Sequence, residues 1–147
     1  MMKIIVVGHL GKSYLKTGIE YYEKQIPMPL AWIEVKDEPQ KQGMSIEALR
    51  ILKHIQPTDY VIVLAIDGTM MSSPAFAKKI DHMMTYEQKN ITFVIGGSYG
   101  LDASVLARAN FKLSFSKMTF PHQTMRLMLT EQIYRAMMIL KNHPYHK

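Results

Sequence analysis

Residues 93–100, with the sequence FVIGGSYG, have the residue types and spacing best suited to a small-molecule site. An apolar strand runs directly into three glycines within five residues. Glycine tolerates positive φ and lets a backbone approach a ligand closely, and ligands of parallel α/β sheets bind beyond the carboxyl ends of the strands. The spacing is not GxGxxG, and no lysine follows the last glycine as in a P-loop. The segment therefore predicts a ligand-binding turn of another kind, with a plain tight turn as the alternative.

Residue types that bind metals are sparse. The chain has no cysteine, which excludes disulfides, thiolate catalysis and cysteine-ligated zinc. The histidines His9, His122, His143 and His146 raise the alternative of a metal site. Neither HxxxH nor HExxH spacing is present, and no carboxylate completes a ligand set. We therefore predict that the protein binds no metal.

Length and charge narrow the class of protein. At 147 residues with 48% hydrophobic content, the chain predicts a single domain covering 1–147 with a substantial core. The longest apolar runs, such as residues 60–66, have the length of strands, and the amino-terminal strand carries no cleavage site, so we expect a cytoplasmic protein without a membrane segment. The formal net charge of +6 favours a polyanionic partner, although a basic charge also occurs in proteins that bind no nucleic acid.

Hydrophobic periodicity predicts strands that alternate with helices. Ser45, Ser73 followed by Pro74, and Asp102 have the residue types that cap helix amino termini. The polar residues 36–43 predict a mobile loop. The alternation predicts an α/β fold, a mostly parallel sheet with helices on both faces. The predicted strands are 2–8, 30–35, 60–66, 91–95 and 111–115, and the predicted helices are 12–26, 45–55, 73–84, 103–109 and 123–141.

The last predicted helix is apolar around most of its circumference. Leu127, Tyr134 and Met138 lie outside the stripe formed by Met125, Leu129 and the residues in register with them. Such a helix needs two partners, so we expect one side on the sheet and another against a second subunit, which predicts a homodimer. The alternative is a helix buried under a loop of a monomer.

Three segments and the carboxyl-terminal tail resemble a known family. The segments are residues 64–68 (LAIDG), 95–100 (IGGSYG) and 113–122 (LSFSKMTFPH), and the tail is residues 142–147 (NHPYHK). With Arg126 in the last helix, the whole chain closely resembles the SPOUT-class methyltransferases that modify a pseudouridine of large-subunit ribosomal RNA. The order and spacing of the segments carry the resemblance, because the glycine motif alone is only moderately specific.

The resemblance implies both a fold and an activity. It implies a trefoil knot in the carboxyl-terminal half, S-adenosylmethionine held by the knot loops, and an obligate dimer whose site is completed across the interface. The implied reaction is methylation of N3 of a pseudouridine in helix 69 of 23S ribosomal RNA, on the assembled ribosome. Periodicity alone predicts only a plain doubly wound sheet, because chains rarely thread their own loops.

Cofactor contacts carried over from the family fall on two strand ends and one loop. Adenine is flat and largely apolar, so it suits a slot walled by Leu64 and Met118 and read by backbone groups. At Gly96 and Gly97 the chain is expected to pass close to the ribose and methionine portions of the cofactor. The implied contacts are Leu64, Gly96, Phe115, Ser116, Lys117, Met118, Thr119 and Phe120.

Four side chains are candidates for the chemistry, since N3 of pseudouridine must lose a proton. His146 is the first candidate because histidine titrates near neutral pH and the tail can reach a cofactor of either subunit. His122 is the second, with helix capping or packing as its alternative role. Arg126 is expected to hold a phosphate or a uracil carbonyl, or instead to pair with Glu131 or an acid on a neighbouring element. Tyr145 offers a face for stacking a flipped base, or packs on its own dimer.

Two other functions fit the same residues. One is a knotted methyltransferase that acts on another RNA base or on a ribose 2′-hydroxyl, although the tail resembles the pseudouridine enzymes. The other is a non-catalytic dimer that binds ribosomes, which the basic charge also fits.

Overall fold

Five apolar segments pair as one parallel sheet in the computed structural model, which describes residues 1–147. The sheet order is β2-β1-β4-β3-β5, and all four strand pairs are parallel. The strands are β1 (Met2–Val7), β2 (Leu30–Val35), β3 (Tyr60–Met70), β4 (Ile91–Ile95) and β5 (Phe111–Ser114). The helices are α1 (Ser13–Glu23), α2 (Met44–Leu52), α3 (Ser73–Asp81), α4 (Ala103–Arg108) and α5 (His122–Leu140).

Successive residues of the central strands face two separate cores, because side chains alternate across a pleated strand. In β1, Ile4 and Val6 pack in a core that includes residues of α3 and α5, whereas Ile5 and Val7 pack with residues of α2 and α4. Both faces of the sheet are therefore covered, which explains why these strands are continuously apolar. The predicted α/β fold with helices on both faces is confirmed.

The structure corrects the predicted bounds of several elements. Residues 30–35 and 91–95 are strands as predicted, and Asp102 caps α4 by accepting a hydrogen bond from the Ser104 amide at 3.0 Å. Ser45 does not cap α2; it lies inside the helix, which follows a 3₁₀ turn at Lys41–Gly43. The cap of α3 is Ser72 rather than Ser73, and a wide π turn, His82–Tyr86, replaces the α-helix predicted through residue 84.

Residues 36–43, predicted as a mobile loop, are tied to α2. The Glu38 amide donates to a Glu47 carboxylate oxygen at 2.7 Å, and Arg50 donates to the Lys36 carbonyl at 2.8 Å and to the Glu38 carboxylate at 2.9 Å. These contacts join the segment after β2 to the helix that follows it.

β3 was predicted to close at Asp67 and Gly68, but it continues to Met70. Leu113 of β5 pairs with both Leu64 and Thr69, so residues 65–68 bulge out of the strand. A Cβ at Gly68 would lie 2.7 Å from the Lys112 carbonyl, so only glycine lets the bulge approach β5 this closely.

α5 packs against α1 and α3 within the same chain. At Gly18 of α1, an added Cβ would lie 3.0 Å from a methyl carbon of Leu127, which shows how closely the two helices approach. Eight α5 residues, including Leu129, Ile133 and Tyr134, are buried in the single protomer. Contact of α5 with a second subunit stays a prediction. No helix of the chain has both the length and the apolar character needed to cross a membrane.

Candidate active site

A cavity lies at the carboxyl edge of the sheet and is open to solvent. Its walls come from the end of β3 and its bulge (64–66), the glycine loop after β4 (95–101) and the segment that joins β5 to α5 (113–120). Seven of the eight predicted cofactor residues line it: Leu64, Gly96, Phe115, Ser116, Met118, Thr119 and Phe120. Lys117 does not line the cavity; its side chain is exposed.

The glycine loop is a tight turn whose glycines are required by the chain's own backbone. A Cβ at Gly96 would lie 2.7 Å from the Gly100 carbonyl oxygen and 2.8 Å from its carbon. Gly100 has φ +86° and donates its amide to the Gly97 carbonyl at 3.0 Å. The close neighbours of an added Cβ at Gly96 and Gly97 are Gly100 and Val7, respectively, and both glycines line the cavity. Close passage of this backbone to a cofactor stays a prediction.

Short polar contacts tie the bulge in β3 to the end of β5 and the segment that follows it. The Ser114 hydroxyl lies 3.0 Å from the Ile66 carbonyl oxygen and 2.9 Å from that of Ser116. The Ser116 hydroxyl accepts from the Met118 amide at 3.0 Å. The Ile66 and Met118 side chains are 51% and 75% exposed although both line the cavity. Exposed apolar side chains on opposite walls suit a flat apolar group such as adenine.

His122, the first residue of α5, lines the cavity. Burial lowers the pKa of its imidazole, and the positive charge of Arg126 lowers it further, while Asp37 and Glu47 act in the opposite direction. The net shift of the pKa is downward, which favours the neutral imidazole, the form with a ring nitrogen free to accept a proton. The structure thus brings the second candidate base to the predicted cofactor residues.

Arg126 is buried, with 1% of its surface exposed. Its guanidinium donates to the Glu34 carboxylate at 2.9 Å and to the carbonyls of Val7 and Gly8 at 3.2 and 2.9 Å. The alternative of an ion pair with an acid on a neighbouring element is thereby confirmed, with Glu34 of β2 as the acid. Its Nε is the one buried side-chain nitrogen or oxygen that lacks a hydrogen-bond partner. All of these acceptors belong to the chain itself, so the guanidinium is turned toward the protein.

The tail folds back on α5 of its own chain. The Tyr145 hydroxyl donates to Glu131 at 2.7 Å, and the Tyr145 ring contacts the Tyr134 ring edge-on at 4.7 Å between centroids. Arg135 pairs with Glu131 at 2.6 Å, lies 4.8 Å from the centre of the Tyr145 ring and lies 3.0 Å from Nδ1 of His146. Burial, and then the hydrogen bond to Glu131, raise the pKa of the Tyr145 phenol above its usual value. None of the tail residues lines the cavity that contains Gly96.

Glu131 and Arg135 hold the tail, a role that the sequence pattern did not predict for either residue. Their i,i+4 spacing on a helix was the available signal, because such pairs face one another. A second cavity lies beside them, lined also by Gln132 and Ser73. It shares Phe115 with the first cavity, so the two cavities adjoin. No group of three or more His, Asp or Glu side chains is placed to hold a metal ion.

Comparison with known proteins gives the class of this fold and site. Residues 1–146 match the family model described as predicted SPOUT methyltransferase. A probable methylase family protein from Haemophilus influenzae has a similar fold, with a TM-score of 0.56 and 13% identity over 96% of this chain. The chain spans 66% of that protein's length. The chain belongs to the SPOUT methyltransferase family, which carries the carboxyl-terminal trefoil knot, and the predicted SPOUT fold is confirmed.

Sequence relatives define the family more narrowly. The chain is 50% identical over 146 residues to the ribosomal RNA large subunit methyltransferase H of Acholeplasma laidlawii. It is 48% identical over 157 aligned positions to the protein of the same name from Bacillus pumilus. Each alignment covers 99% of both chains. Within the SPOUT class, the chain therefore belongs to the ribosomal RNA large subunit methyltransferase H family.

Proposed function

We propose that this protein transfers a methyl group from S-adenosylmethionine to N3 of a pseudouridine in helix 69 of 23S ribosomal RNA, on the assembled ribosome. The observation that carries the proposal is the match over the whole chain, at 50% identity, to a protein named for methylation of large-subunit ribosomal RNA. The net charge of +6 is consistent with an RNA substrate. Such a substrate places the protein with ribosomes in the cytoplasm.

The cavity at the carboxyl edge has a lining that suits S-adenosylmethionine. Leu64, Ile66 and Met118 offer apolar surface to the adenine ring. The backbone of residues 115–120 offers amide and carbonyl groups to its polar edge. The glycine loop, held by the contact of Gly96 with Gly100, closes the opposite wall. His122 is the one ionisable side chain in the lining, so the cavity does not depend on an ion pair to hold its ligand.

The sulfonium of S-adenosylmethionine supplies an activated methyl group, so the protein mainly has to align the nucleophile with the methyl carbon. The adjoining second cavity has the groups that a uracil ring requires. Arg135 and Gln132 carry N–H donors for carbonyl oxygens, and Tyr22 and Phe115 offer aromatic surface. We place the acceptor base there, across the wall formed by Phe115.

The acceptor nitrogen must lose its proton, and two histidines are candidates. The neutral imidazole of His122 lies in the lining of the cofactor cavity, which supports it as the proton acceptor. His146 is held by Arg135 beside the second cavity, which supports a role near the acceptor base instead. Tyr145 lies in the same cluster and can stack on that base once the tail moves, or when a second subunit supplies the tail. A homodimer is part of this proposal.

Incubation of the purified protein with labelled S-adenosylmethionine and ribosomes from a strain that lacks the modification tests the proposal. We expect one methyl group per large subunit, which mass mapping places on N3 of a pseudouridine in helix 69. Label on another base or on a ribose 2′-hydroxyl would support methyltransferase activity but contradict N3 of pseudouridine as the acceptor. Binding to ribosomes without any label would instead support a non-catalytic ribosome-binding dimer.

A further inference from the structure

The buried guanidinium of Arg126 connects three parts of the chain that are distant in sequence. It lies one turn into α5 and donates to the last residue of β1, to Gly8 beyond it, and to Glu34 near the end of β2. Glu34 is 92 positions away in sequence and Gly8 is 118 positions away. The contact therefore fixes the start of α5 against the carboxyl edge of the sheet.

The same carboxylate also holds the loop between β1 and α1, which we call the β1–α1 loop (residues 8–12). Glu34 accepts from the Leu10 amide at 3.0 Å and lies 3.2 Å from Nδ1 of His9. Gly8 has φ +94°, a conformation that turns the chain out of β1. A second tie runs from the Gly11 amide to the Gln123 side chain at 3.2 Å. Gln123 and Arg126, both in the first two turns of α5, thus anchor the β1–α1 loop.

These ties lie beside the cofactor cavity in sequence and in space. Residues 115–116 and 118–120 line the cavity, and the start of α5 follows Phe120 within two residues. β1 is the neighbour of β4 in the sheet, and a Cβ at Gly97 would lie 3.2 Å from Val7, whose carbonyl Arg126 binds. A shift at Arg126 would therefore move both the segment after β5 and the floor under the glycine loop.

We infer that Arg126, paired with Glu34, is a positioning residue of the methyl-transfer site that keeps segment 115–121 and the β1–α1 loop in place around the cofactor cavity. The inference deepens the proposed function and rests on it for the identity of the cofactor. Arginine suits this role because its planar fork donates to several acceptors at once, whereas lysine offers a single point charge. Arg126 acts through the chain that it holds and does not touch the substrate.

Calorimetry with S-adenosylhomocysteine, together with hydrogen exchange, tests the inference. Arg126→Met keeps much of the side-chain volume but removes every donor. We expect its affinity for S-adenosylhomocysteine to fall about tenfold, equivalent to about 1.4 kcal/mol, with faster exchange in residues 8–12 and 115–121. Arg126→Lys should recover part of the affinity. In turnover, KM for S-adenosylmethionine should rise while KM for ribosomes stays unchanged.

Arg108→Met is the matched control. Arg108 also donates to two carbonyls, those of Gln56 and Asp59, but it lies at the opposite edge of the sheet. Its loss should leave affinity for S-adenosylhomocysteine unchanged. If Arg126→Met does not fold, Glu34→Ala takes its place, since it removes the acceptor shared by Arg126 and Leu10, and the same two segments should exchange faster with about fivefold weaker binding. Glu34→Gln keeps one acceptor oxygen and should lie nearer to wild type.

Unchanged affinity and unchanged exchange in folded Arg126→Met, or in Glu34→Ala, would overturn the inference. A variant that binds S-adenosylhomocysteine normally but loses ribosome affinity would show that Arg126 contacts RNA directly, which also overturns it. Failure of the proposed function gives a different result. In that case the wild-type protein would bind S-adenosylhomocysteine and respond to Arg126→Met as expected, yet would not label ribosomes.

Discussion

The two edges of the parallel sheet are built from different interactions. At the amino edge, the Asp59 carboxylate is buried and accepts from Lys3, from the Gln56 amide and from Thr92, at 2.9–3.2 Å. At the carboxyl edge, the strands end in glycine turns and in exposed apolar side chains such as Ile66 and Met118. Around β3 and β4 the amino edge is thus filled with polar contacts, whereas the carboxyl edge of the same two strands leaves a cavity; the buried contacts of Arg126 lie at the carboxyl ends of β1 and β2.

The difference shows which edge stabilises the fold and which is available to a ligand. Buried polar groups that already have hydrogen-bond partners in the protein gain no free energy from a ligand. Breaking one of their hydrogen bonds lowers the stability of the fold. Exposed apolar surface beside a cavity gains free energy when a ligand covers it. We therefore expect substitutions at the amino edge to change stability and substitutions at the carboxyl edge to change binding.

The largest effect should come from Gly96→Ala. The new Cβ would collide with the Gly100 carbonyl, which is backbone and cannot move without reshaping the turn. Overpacking of this kind costs about 1–3 kcal/mol, and here it would distort the wall of the cavity. We therefore expect S-adenosylmethionine binding to weaken by up to about a hundredfold and methylation to be lost. Calorimetry and the ribosome assay measure both. Gly18→Ala is the control for cofactor binding, because its added Cβ would press on a Leu127 methyl carbon at 3.0 Å, between α1 and α5, and not on the cavity wall. Normal binding by Gly96→Ala would contradict our account of the turn.

Asp59→Ala should produce the opposite pattern at the amino edge. It removes the partner of Lys3 and leaves the Gln56 amide and the Thr92 hydroxyl without their acceptor. We expect the free energy of unfolding to fall by about 2–4 kcal/mol, with cofactor affinity per folded molecule unchanged. Urea unfolding measures the free energy of unfolding. Calorimetry under conditions where the variant is folded measures its affinity for the cofactor. A large loss of affinity without loss of stability would break the comparison between the edges.

The stability of the amino edge should also depend on pH. Burial alone would raise the pKa of Asp59, but hydrogen bonds from Gln56, Lys3 and Thr92 outweigh it, and the pKa lies below its ordinary value. A carboxyl group with a lowered folded-state pKa stabilises the fold above its unfolded pKa of about 3.9 and loses this contribution as pH falls further. The difference in unfolding free energy between wild type and Asp59→Ala should therefore be constant near pH 7 and shrink below about pH 4. A difference that grows on acidification would have the wrong sign.

The smallest effect should come from Met118→Ala, which removes one exposed wall of the cavity. Because the side chain is 75% exposed, stability should hardly change. Covering a methionine side chain contributes about 1–2 kcal/mol, so affinity for S-adenosylmethionine should fall roughly five- to thirtyfold. Leu49→Ala, at an equally exposed position on α2 away from the cavity, is the matched control. Equal affinities for the two variants would remove Met118 from the site.

Much of the carboxyl edge could be predicted from the sequence. The glycine loop and residues 64, 115–116 and 118–120 line one cavity, as the order of the motifs indicated. The bulge at residues 65–68 could not be predicted, because it depends on which residue of β5 pairs with β3. Lys117 shows the same limit, since its neighbours face the cavity and its own side chain does not. A motif identifies a segment, but the direction of each side chain depends on the backbone path.

The tail illustrates a second limit. Tyr145 and His146 were candidates because of their residue types, and the structure places them on Glu131 and Arg135 of their own chain. Those partners lie on α5 and not in the tail, and a sequence pattern does not predict the distance between residues of different elements. That the tail completes the site of a second subunit stays a prediction.

The sequence by itself determined the alternation of strands and helices, the coverage of both sheet faces and the family, because these follow from local periodicity and from motifs in a fixed order. Only the tertiary structure decided that Arg126 binds Glu34, Val7 and Gly8 and that His122 lines the cavity. A buried guanidinium takes whichever acceptors packing brings within hydrogen-bond distance, and here they come from residues about a hundred positions away.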